Sequence, residues 1–406
     1  MVKLVGRSVD MGELNGVRVL DLSRALAGPF CSMMLGDMGA DVIKVERPGL
    51  GDDSRAWGPP FIRGESAYFL SLNRNKRSIT LNLKKPEALE ILYELVQSSD
   101  VFLENFRPGV TERLNIDYKT VKEINSEIVY CSISGFGSEG LYRDRAGLDI
   151  IIQGMAGLMS VTGEEERPPV KVGVAIADLI GGFYATIMTT TALLHRARTG
   201  KGQQVEVSLL EGTVSIMTHM AHIAFATGET PKKLGTAHAQ VAPYQSFMAG
   251  DGKYLSVGVP NERLWAAFCE ATGLMELLNH PSFNVNAKRV QNRAELIKII
   301  QEKMLTKSQE EWIEIFDRVG LPTGPVYDLV EVYKDPHIIH RGMIMEMEHH
   351  KAGRIKQIGV PMRFSETPCS IRIPPPTLGQ HNEEILRELL DLSREKIEAL
   401  REGGII

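Results

Sequence analysis

The sequence predicts an α/β fold whose large domain is built around a Rossmann-like parallel sheet. From residue 17 to residue 208, short apolar runs alternate with helix-length stretches, which is typical of strand–helix–strand units. With 406 residues, of which 43% are hydrophobic, the chain can bury one large core and a second, smaller one. After residue 244 the spacing changes to that of an antiparallel hairpin, so the smaller domain is predicted to be α+β.

The predicted elements of the large domain follow in the order strand, helix, strand. Residues 1–15 are expected to form a loose leader. Strands are predicted at 17–21, 41–46, 78–82, 100–104, 129–133 and 204–208, and helices at 28–38, 86–98, 183–198 and 209–226.

A polar linker at 228–243 leads into the predicted small domain, which is placed at 226–325. It is predicted to contain a hairpin at 245–248 and 253–259 and helices at 264–272, 289–305 and 308–319. The remaining chain is predicted to form strands at 355–360 and 363–364 and helices at 383–390 and 394–402.

Composition and charge exclude several classes of protein. The formal net charge of -5 provides no cationic field for nucleic acid. The four cysteines are widely spaced, and the histidines at 337, 340, 349 and 350 lack a carboxylate cluster and are interpreted as solvated surface residues. No N-terminal segment combines a basic start with an apolar run, and the longest apolar stretch, 180–194, is too short and too rich in glycine and threonine to span a membrane. The sequence predicts a cytoplasmic protein with no metal, no nucleic-acid partner and no membrane association.

Asp178 is the first candidate for a catalytic group. It lies between an apolar run at 172–177, interpreted as strand-like, and the helix at 183–198. Free N–H groups and the dipole at a helix N-terminus favour an ionised carboxylate, so the pKa of Asp178 is expected to be lowered. An ionised carboxylate can act as a nucleophile, and Gly181 and Gly182 would let a ligand or another backbone come close. A plain N-cap, with both glycines packed against a neighbouring helix, also explains these residues.

Several loops after predicted strands converge on one edge of the sheet. Ligands of parallel sheets bind at the carboxyl ends of the strands, where Glu46-Arg47, Asn105-Phe106 and Ser134-Gly135 fall. Glu46 follows Asp21 by 25 residues, as the ribose-binding carboxylate of an NAD site would. However, the turn at 23–29 holds one glycine where the dinucleotide fingerprint needs three, so an NAD-dependent oxidoreductase is the weaker alternative and no NAD is expected.

Nine short motifs occur in order along nearly the whole chain. They are GVRVLDL at 16–22, AGP at 27–29, GADVIKVER at 39–47, NKRSI at 75–79, ENFRPG at 104–109, SGFG at 134–137, DLIGG at 178–182, TGKG at 199–202 and LGQH at 378–381. Together they resemble the class III CoA-transferases, the family of formyl-CoA transferase, carnitine CoA-transferase and the α-methylacyl-CoA racemases. The resemblance implies an interlaced homodimer. It also implies a large domain built from both chain ends, 1–225 and 326–406, the second part beginning with a return linker, with the small domain as an insertion.

The same resemblance implies roles for individual residues. Asp178 matches the catalytic carboxylate, which would attack the thioester of an acyl-CoA to give a mixed anhydride and later an aspartyl-CoA thioester. Coenzyme A, as part of the substrate, would be bound by Ala25, Leu26, Arg47, Asn75, Lys76, Arg77, Asn105, Phe106 and Arg113. From the residues alone, the basic patch at 73–77 is equally explained as surface charge.

Departures from the family pattern narrow the activity. Formyl-CoA transferase has Gln where Leu26 stands, Lys where Ser134 stands and a glycine-rich lid with no counterpart here, so oxalate is not the expected acceptor. The racemases have His where Leu148 stands, so two-base epimerisation lacks its second base. A racemase and a non-catalytic CoA-binding protein remain as alternatives.

The expected activity is therefore transfer of CoA from an acyl-CoA to a small carboxylic acid. Arg24, Arg143 and Arg145 are candidates to pair with the free carboxylate of a dicarboxylic acid such as succinate, although surface roles explain Arg143 and Arg145 as well. Succinyl-CoA is the donor that this hypothesis favours.

Overall fold

The computed structural model describes residues 12–406, which separate into two compact units. The first contains the described residues up to Ala156, Val172–Met217 and Pro336–Ile406, and the second contains Gly157–Lys171 and Thr218–Asp335. The predicted small domain, 226–325, falls within the second unit, which also includes 157–171. Residues 1–11 of the predicted leader lie outside the described residues.

The first unit is built on a parallel sheet. Its strands are β1 Arg18–Asp21, β2 Asp41–Glu46, β5 Lys76–Thr80, β6 Val101–Glu104, β7 Val129–Ser134 and β8 Gln203–Ser208, which pair in the order β5-β2-β1-β6-β7-β8. Two antiparallel pairs accompany it, β3 Phe61–Ile62 with β4 Glu65–Ser66 and β12 Ile344–His349 with β13 Gly353–Ile358. The predicted α/β class with a large parallel sheet is confirmed.

The helices of the first unit are α1 Ala27–Asp37, α2 Ala67–Leu72, α3 Pro86–Gln97, α4 Val110–Arg113, α5 Tyr118–Ile124, α6 Asp149–Met155, α8 Ile176–Thr199, α9 Leu209–Ser215, α16 Pro336–His340, α17 Asn382–Leu390 and α18 Arg394–Glu402. A 3₁₀ turn covers Asp53–Ala56. The sheet is sandwiched between two apolar layers because alternate residues of each strand point to opposite faces. Leu20 and Phe102 pack on the face that also buries Ile385 and Ile397 of α17 and α18. Val19 packs on the opposite face, with residues of α1 and α8.

The second unit combines a three-stranded antiparallel sheet with helices. Its strands, β9 Tyr244–Met248, β10 Tyr254–Gly258 and β11 Thr323–Pro325, pair in the order β11-β10-β9. Its helices are α7 Leu158–Val161, α10 Thr218–Thr227, α11 Glu262–Thr272, α12 Asn286–Gln291, α13 Arg293–Met304, α14 Gln309–Arg318 and α15 Leu329–Val332, with a 3₁₀ turn at Met275–Leu277. The predicted hairpin matches β9 and β10.

Several predicted elements differ from the structure. The run at 172–175 is not a strand, and α8 begins at Ile176, seven residues before the predicted helix. The helix predicted at 209–226 is divided into α9 and α10, the helix predicted at 289–305 lies across α12 and α13, and residues 363–364 form no strand. His349 is buried, and its Nδ1 accepts the backbone N–H groups of Lys351 and Ala352. The interpretation of His349 as a solvated surface residue is therefore wrong.

Helix α8 is long and apolar enough, by length and composition, to cross a membrane. Its most apolar window has a mean hydropathy of 1.3, and half of that window is buried within the fold. A core helix of a soluble protein has the same properties, so α8 is weak evidence for a membrane span. The absence of membrane association stays a prediction.

Candidate active site

A cavity of about 460 Å³ opens at the carboxyl ends of β1, β2, β5 and β6. This is the edge at which parallel sheets bind ligands. The strand-end segments and the helix α4 supply its lining, which consists of Leu22, Ser23, Arg24, Lys44, Val45, Glu46, Arg47, Pro48, Gly51, Asp52, Leu81, Asn82, Leu83, Lys84, Phe106, Val110 and Leu114. The predicted residues Arg47 and Phe106 therefore lie in one cavity, although they are far apart in sequence.

Two exposed cations border this cavity. Arg47 follows the last residue of β2, and Lys84 lies four residues beyond the end of β5. Both side chains are exposed and line the cavity, where a guanidinium can bind phosphate oxygens bidentately and an ammonium can bind them as a point charge.

Asn105 and Phe106 build the wall between β6 and the β1–α1 turn. The Asn105 amide makes two hydrogen bonds with the backbone of Arg24. The Arg24 N–H donates to Asn105 Oδ1 at 2.8 Å, and Asn105 Nδ2 donates to the Arg24 carbonyl at 2.8 Å. The Phe106 N–H donates to Glu104 Oε2 at 2.7 Å, and the guanidinium carbon of Arg24 lies 5.4 Å from the centroid of the Phe106 ring. The Asn105 side chain thus orders the turn beside the cavity, and the Phe106 ring faces the cavity itself.

The other predicted CoA-binding residues of the β5 region do not line the cavity. Asn75, Lys76 and Arg77 are all buried. The Lys76 ammonium donates to the carbonyl of Pro29 at 2.9 Å and pairs with Asp21 at 3.3 Å. Such buried, partnered groups stabilise the fold and are not accessible to a ligand.

The side chains of Arg77 and Asn75 are also paired with other residues of the first unit. Arg77 pairs with Asp41 at 2.7 Å and with Glu388 at 2.8 Å. The Asn75 amide donates to Asp37 Oδ1 at 2.8 Å, and its oxygen accepts the N–H of Arg372 at 2.7 Å. The alternative that this patch is surface charge is wrong, because its side chains are buried.

The position of these residues along β5 explains the difference. Asn75–Arg77 lie at the beginning of this parallel strand, whereas ligands bind where such strands end. The segment that follows β5, Leu81–Lys84, lines the cavity and was not predicted. The strand-end rule, applied to β5 as it was to β2 and β6, would have indicated it.

Three further predicted residues lie around the same cavity. Arg113 is exposed at the end of α4, whose Val110 lines the cavity. Ala25 has a positive φ of 67°, in the left-handed region, and Leu26 is the buried N-cap residue of α1. Neither Ala25 nor Leu26 is among the lining residues; they connect the cavity wall to α1.

Asp178 is the third residue of α8 and is half-buried. Burial, followed by the neighbouring Asp149 carboxylate, raises the pKa of Asp178 to about 7. The expectation of a lowered pKa is therefore wrong. At this helix N-terminus, desolvation and a like charge outweigh the favourable backbone dipoles. A carboxylate that titrates near neutral pH is a stronger nucleophile, when ionised, than an ordinary one.

Asp149 holds the N-terminus of α8 in place. Its Oδ1 accepts the N–H of Ala177 at 2.9 Å, and its Oδ2 accepts Gln153 Nε2 at 2.7 Å. Gln153 Oε1 in turn accepts the N–H of Val172 at 2.9 Å. These bonds satisfy a backbone donor that the first turn of a helix leaves unpaired and keep a second carboxylate beside Asp178.

Tyr68 belongs to the same electrostatic environment. Burial, then the charges of Asp178 and Asp149, raise the pKa of its hydroxyl to about 12. Its ring packs edge-on against the partly exposed Trp57, with centroids 4.9 Å apart. The tyrosine hydroxyl therefore stays protonated and can donate a hydrogen bond near the two carboxylates.

Gly182 allows α1 to pack closely against α8, and Gly181 does the same for α9. A Cβ at Gly182 would lie 2.8 Å from the carbonyl oxygen of Ala27 and 2.8 Å from the Phe30 ring. A Cβ at Gly181 would lie 2.3 Å from a methyl carbon of Leu209. The interpretation that these glycines pack against a neighbouring helix is confirmed, and this packing places the start of α1 against the turn that follows Asp178.

The Glu46 carboxylate is not free to bind a ribose. Its two oxygens accept both Nε and Nη2 of Arg55 at 2.7 Å, the Ser78 hydroxyl at 2.7 Å and the N–H of Asp52 at 3.0 Å. This buried network leaves the NAD alternative without the acidic residue on which it depended.

The chain is similar to known proteins over nearly its whole length. The family model described as CoA-transferase family III matches residues 14–382. This chain belongs to CoA-transferase family III. The family III chain is 43% identical to the succinyl-CoA:glutarate CoA-transferase of Mus musculus, over 98% of this chain and 91% of that protein. It is 42% identical to the Homo sapiens protein of the same name, over 97% of this chain and 90% of that protein. A crystal structure of a CAIB/BAIF family protein from Brucella suis matches it with a TM-score of 0.83 and 39% identity, over 93% of this chain and 99% of that one.

As a family III CoA-transferase, the chain uses CoA thioesters as substrates. Leu148, where a racemase has its second base, is an exposed apolar residue directly before α6. Within residues 12–406, no group of three or more His, Cys, Asp or Glu side chains is placed to hold a metal ion. That the enzyme needs no metal stays a prediction.

Proposed function

We propose that this enzyme transfers CoA from succinyl-CoA to a dicarboxylic acid of similar length, with Asp178 as the nucleophile. The observation that carries the role of Asp178 is its position: it is a half-buried carboxylate in the first turn of α8, beside Asp149, and the start of α1 packs against Gly182, four residues further along the same helix. The two mammalian relatives are named for succinyl-CoA and glutarate, which supports this pair of substrates.

The proposed reaction has four steps that conserve the energy of the thioester. The ionised Asp178 oxygen attacks the thioester carbonyl, a C–O bond forms, and the C–S bond breaks to release CoA thiolate from the mixed anhydride. The thiolate then attacks the Asp178 carbonyl carbon, forming aspartyl-CoA and releasing the donor acid. The acceptor carboxylate attacks this thioester, a C–O bond forms, and the C–S bond breaks to release CoA thiolate from a second anhydride. Finally, the thiolate attacks the acceptor carbonyl and frees Asp178.

The CoA moiety is proposed to occupy the cavity at the strand ends. Arg47, Lys84 and Arg113 are the exposed cations available to its phosphates, and Phe106 supplies an aromatic surface. Asn75, Lys76 and Arg77 are not part of this proposed site, because they are buried and paired.

Of the three arginines considered for the distal carboxylate, Arg24 is the one in the CoA cavity. Its side chain is 45% exposed and pairs with Asp53 at 3.2 Å. Arg145 stacks on Tyr142, and Arg143 lines a separate cavity of about 290 Å³ with Glu104 and Tyr130. Arg24 is thus the candidate from this set to contact the substrate.

We also propose that the enzyme is a homodimer, interlaced as the family resemblance implies, and acts in the cytoplasm. In the first unit, large apolar side chains are exposed at the start of α6 and along α8, including Leu148 directly before α6, Ile151, Ile187 and Leu194. Exposed large apolar side chains on two helices that contact each other are typical of a protein–protein interface. A second copy of the chain is the occupant that the family resemblance supports.

The experiment that tests the nucleophile is intact-protein mass spectrometry after incubation with a panel of acyl-CoAs and hydroxylamine. Wild-type protein is expected to form a hydroxamate on the peptide that contains Asp178 with succinyl-CoA, and Asp178→Ala is expected to form none. An adduct on a different peptide, or none with any donor while CoA still binds, would refute the proposed route. Equal turnover of succinyl-CoA and acetyl-CoA would refute the dicarboxylate preference.

A further inference from the structure

The turn between β1 and α1, Ser23–Ala25, has no regular secondary structure and is held by side chains from elsewhere in the first unit. The Lys44 ammonium donates to the carbonyl of Ser23 at 2.9 Å. The N–H of Ala25 donates to Asp52 Oδ1 at 3.1 Å. Between these two residues, the N–H and the carbonyl of Arg24 both bond to the Asn105 amide. The backbone from the Ser23 carbonyl to the Ala25 N–H is therefore held by side chains.

This turn needs such support because Ala25 has a left-handed backbone. Its φ of 67° lies in a region that side chains with a Cβ rarely occupy. Residues with this conformation persist where surrounding contacts impose it, and they are concentrated at functional sites. The hydrogen bond from the Ala25 N–H to Asp52 is one of those contacts.

Asp52 and Lys44 form a buried ion pair within the wall of the cavity. Lys44 Nζ lies 2.9 Å from Asp52 Oδ2, and both side chains are fully inaccessible to solvent. Asp52 Oδ1 also accepts the N–H of Ser54 at 2.9 Å and its hydroxyl at 2.7 Å. Burial acts to raise the pKa of Asp52, but the Lys44 charge and these hydrogen bonds lower it to about 2. Because the pKa of Lys44 is also raised by the nearby carboxylates despite its burial, the pair is ionised near neutral pH.

The turn that this ion pair holds determines the position of two other parts of the first unit. On one side it carries Arg24, the partly exposed cation of the cavity. On the other side it leads directly into α1, whose Ala27 carbonyl packs against Gly182 of α8. The same few residues thus set the geometry of the cavity wall and of the helix beside Asp178.

We propose that Asp52, through its ion pair with Lys44, is a positioning residue for CoA transfer. It fixes the turn Ser23–Ala25, so that Arg24 faces the bound acyl-CoA and α1 begins in register with the helix that carries Asp178. Asp52 belongs to the lining of the cavity, but its side chain is inaccessible to solvent, so it acts through the turn and does not touch the substrate. This inference rests on the proposed CoA site.

The test compares two equally buried carboxylates. Asp37 pairs with Arg74 at 2.7 Å, with side-chain exposures of 1% and 4%, and is not among the residues that line the cavity. Asp52→Ala and Asp37→Ala are both expected to lower thermal stability. Asp52→Ala alone is expected to weaken CoA binding and to raise the KM for acyl-CoA about tenfold or more, since it releases a turn held by charge-assisted hydrogen bonds. Asp52→Asn keeps an acceptor for the Ala25 N–H and is expected to recover part of that loss.

Kinetics are measured well below the melting temperature of each variant, and CoA binding is measured by calorimetry. If Asp52→Ala does not fold, Asp52→Asn is compared with Asp37→Asn, and a severalfold higher KM is expected for the Asp52 variant only. Wild-type KM and CoA affinity in both Asp52 variants, or the same KM increase in the Asp37 variants, would overturn the proposal. If wild-type protein binds CoA but forms no Asp178 adduct, the proposed nucleophile fails, while the CoA affinities of the variants still decide the role of Asp52.

Discussion

At the scale of single residues, the raised pKa of Asp178 predicts how activity depends on pH. Below a pH of about 7 the carboxyl is protonated and cannot attack a thioester, whereas above it the ionised form predominates. We expect kcat/KM for succinyl-CoA to fall as the pH decreases through 7 and to level off above it. Because Asp149 contributes to the shift, Asp149→Asn should move this limb to lower pH, by roughly one unit or less.

The measurement is a pH–rate profile of each protein under kcat/KM conditions. Asp144, an exposed aspartate on the loop before α6, provides the matched control, and Asp144→Asn is expected to keep the wild-type profile. A limb that stays at the same pH in Asp149→Asn would show that the neighbouring charge does not control Asp178.

Lys84 and Lys76 should respond differently to substitution because one faces the cavity and the other is buried. Lys84→Ala is expected to raise the KM for acyl-CoA by roughly tenfold, the effect of losing one charge-assisted contact, with an unchanged unfolding midpoint. Lys76→Met removes a buried partner of Asp21 and is expected to lower the free energy of unfolding by on the order of 3 kcal/mol.

Steady-state kinetics and urea unfolding of both variants separate the two effects. An elevated KM for acyl-CoA with normal stability in Lys76→Met would indicate that Lys76 binds CoA. A normal KM in Lys84→Ala would remove Lys84 from the proposed site.

These two lysines show which side-chain positions can be predicted from patterns in the sequence and which cannot. The motif that contains Lys76 was recognisable, but its side chain is taken up by Asp21 and by a backbone carbonyl, partners that only the folded chain brings together. The raised pKa of Asp178 was missed for the same reason, since both of its causes, burial and then the charge of Asp149 on a different helix, arise only in the folded chain. Arg47 and Phe106 line one cavity, as the rule for strand ends predicts from topology alone, and their binding of CoA stays a prediction.

At the scale of elements, the contact between α1 and α8 depends on the absence of a side chain at Gly182. Gly182→Ala would place a Cβ 2.8 Å from a backbone oxygen of α1, which must move to accommodate it. We expect a loss of about 1–3 kcal/mol in the free energy of unfolding, although alanine has the higher helix propensity, and a lower kcat because the start of α1 moves relative to Asp178.

Gly173, just before α8, has open space at its Cβ position, so Gly173→Ala is the control and is expected to change stability by less than about 0.5 kcal/mol. Denaturant unfolding and kcat are measured for both. Equal effects at the two positions would mean that close packing of α1 is not what Gly182 provides.

The prediction of elements succeeded where periodicity was regular and failed where tertiary contacts decide. Strands such as β2 and helices such as α3 were predicted within a few residues, because their apolar spacing matches one buried face. The run before α8 has strand-like composition, but the N–H of Val172 bonds to Gln153 instead of a sheet partner. The break between α9 and α10 has no proline to signal it.

At the scale of the whole molecule, the exposed apolar face of α6 and α8 is difficult to reconcile with a monomer in water. Ile187 and Leu194 are 59% and 52% exposed and lie two turns apart on the same side of α8, the helix that carries Asp178. Burial of this face against a second copy would stabilise the dimer through apolar contact and would also fix the helix next to the reacting carboxylate.

The double variant Ile187→Asp/Leu194→Asp places two charges in this face and should therefore prevent association. We expect wild-type protein to sediment at about twice the chain mass of 45.0 kDa and the double variant to sediment as a monomer. Met275→Asp, at an equally exposed methionine of the second unit, is the control and is expected to remain dimeric. The monomer is expected to lose most of its transferase activity while keeping its far-UV circular dichroism, because α8 would no longer be supported along its apolar side. A fully active monomer would show that catalysis needs no partner, and a wild-type protein that sediments at 45.0 kDa would refute the dimer itself.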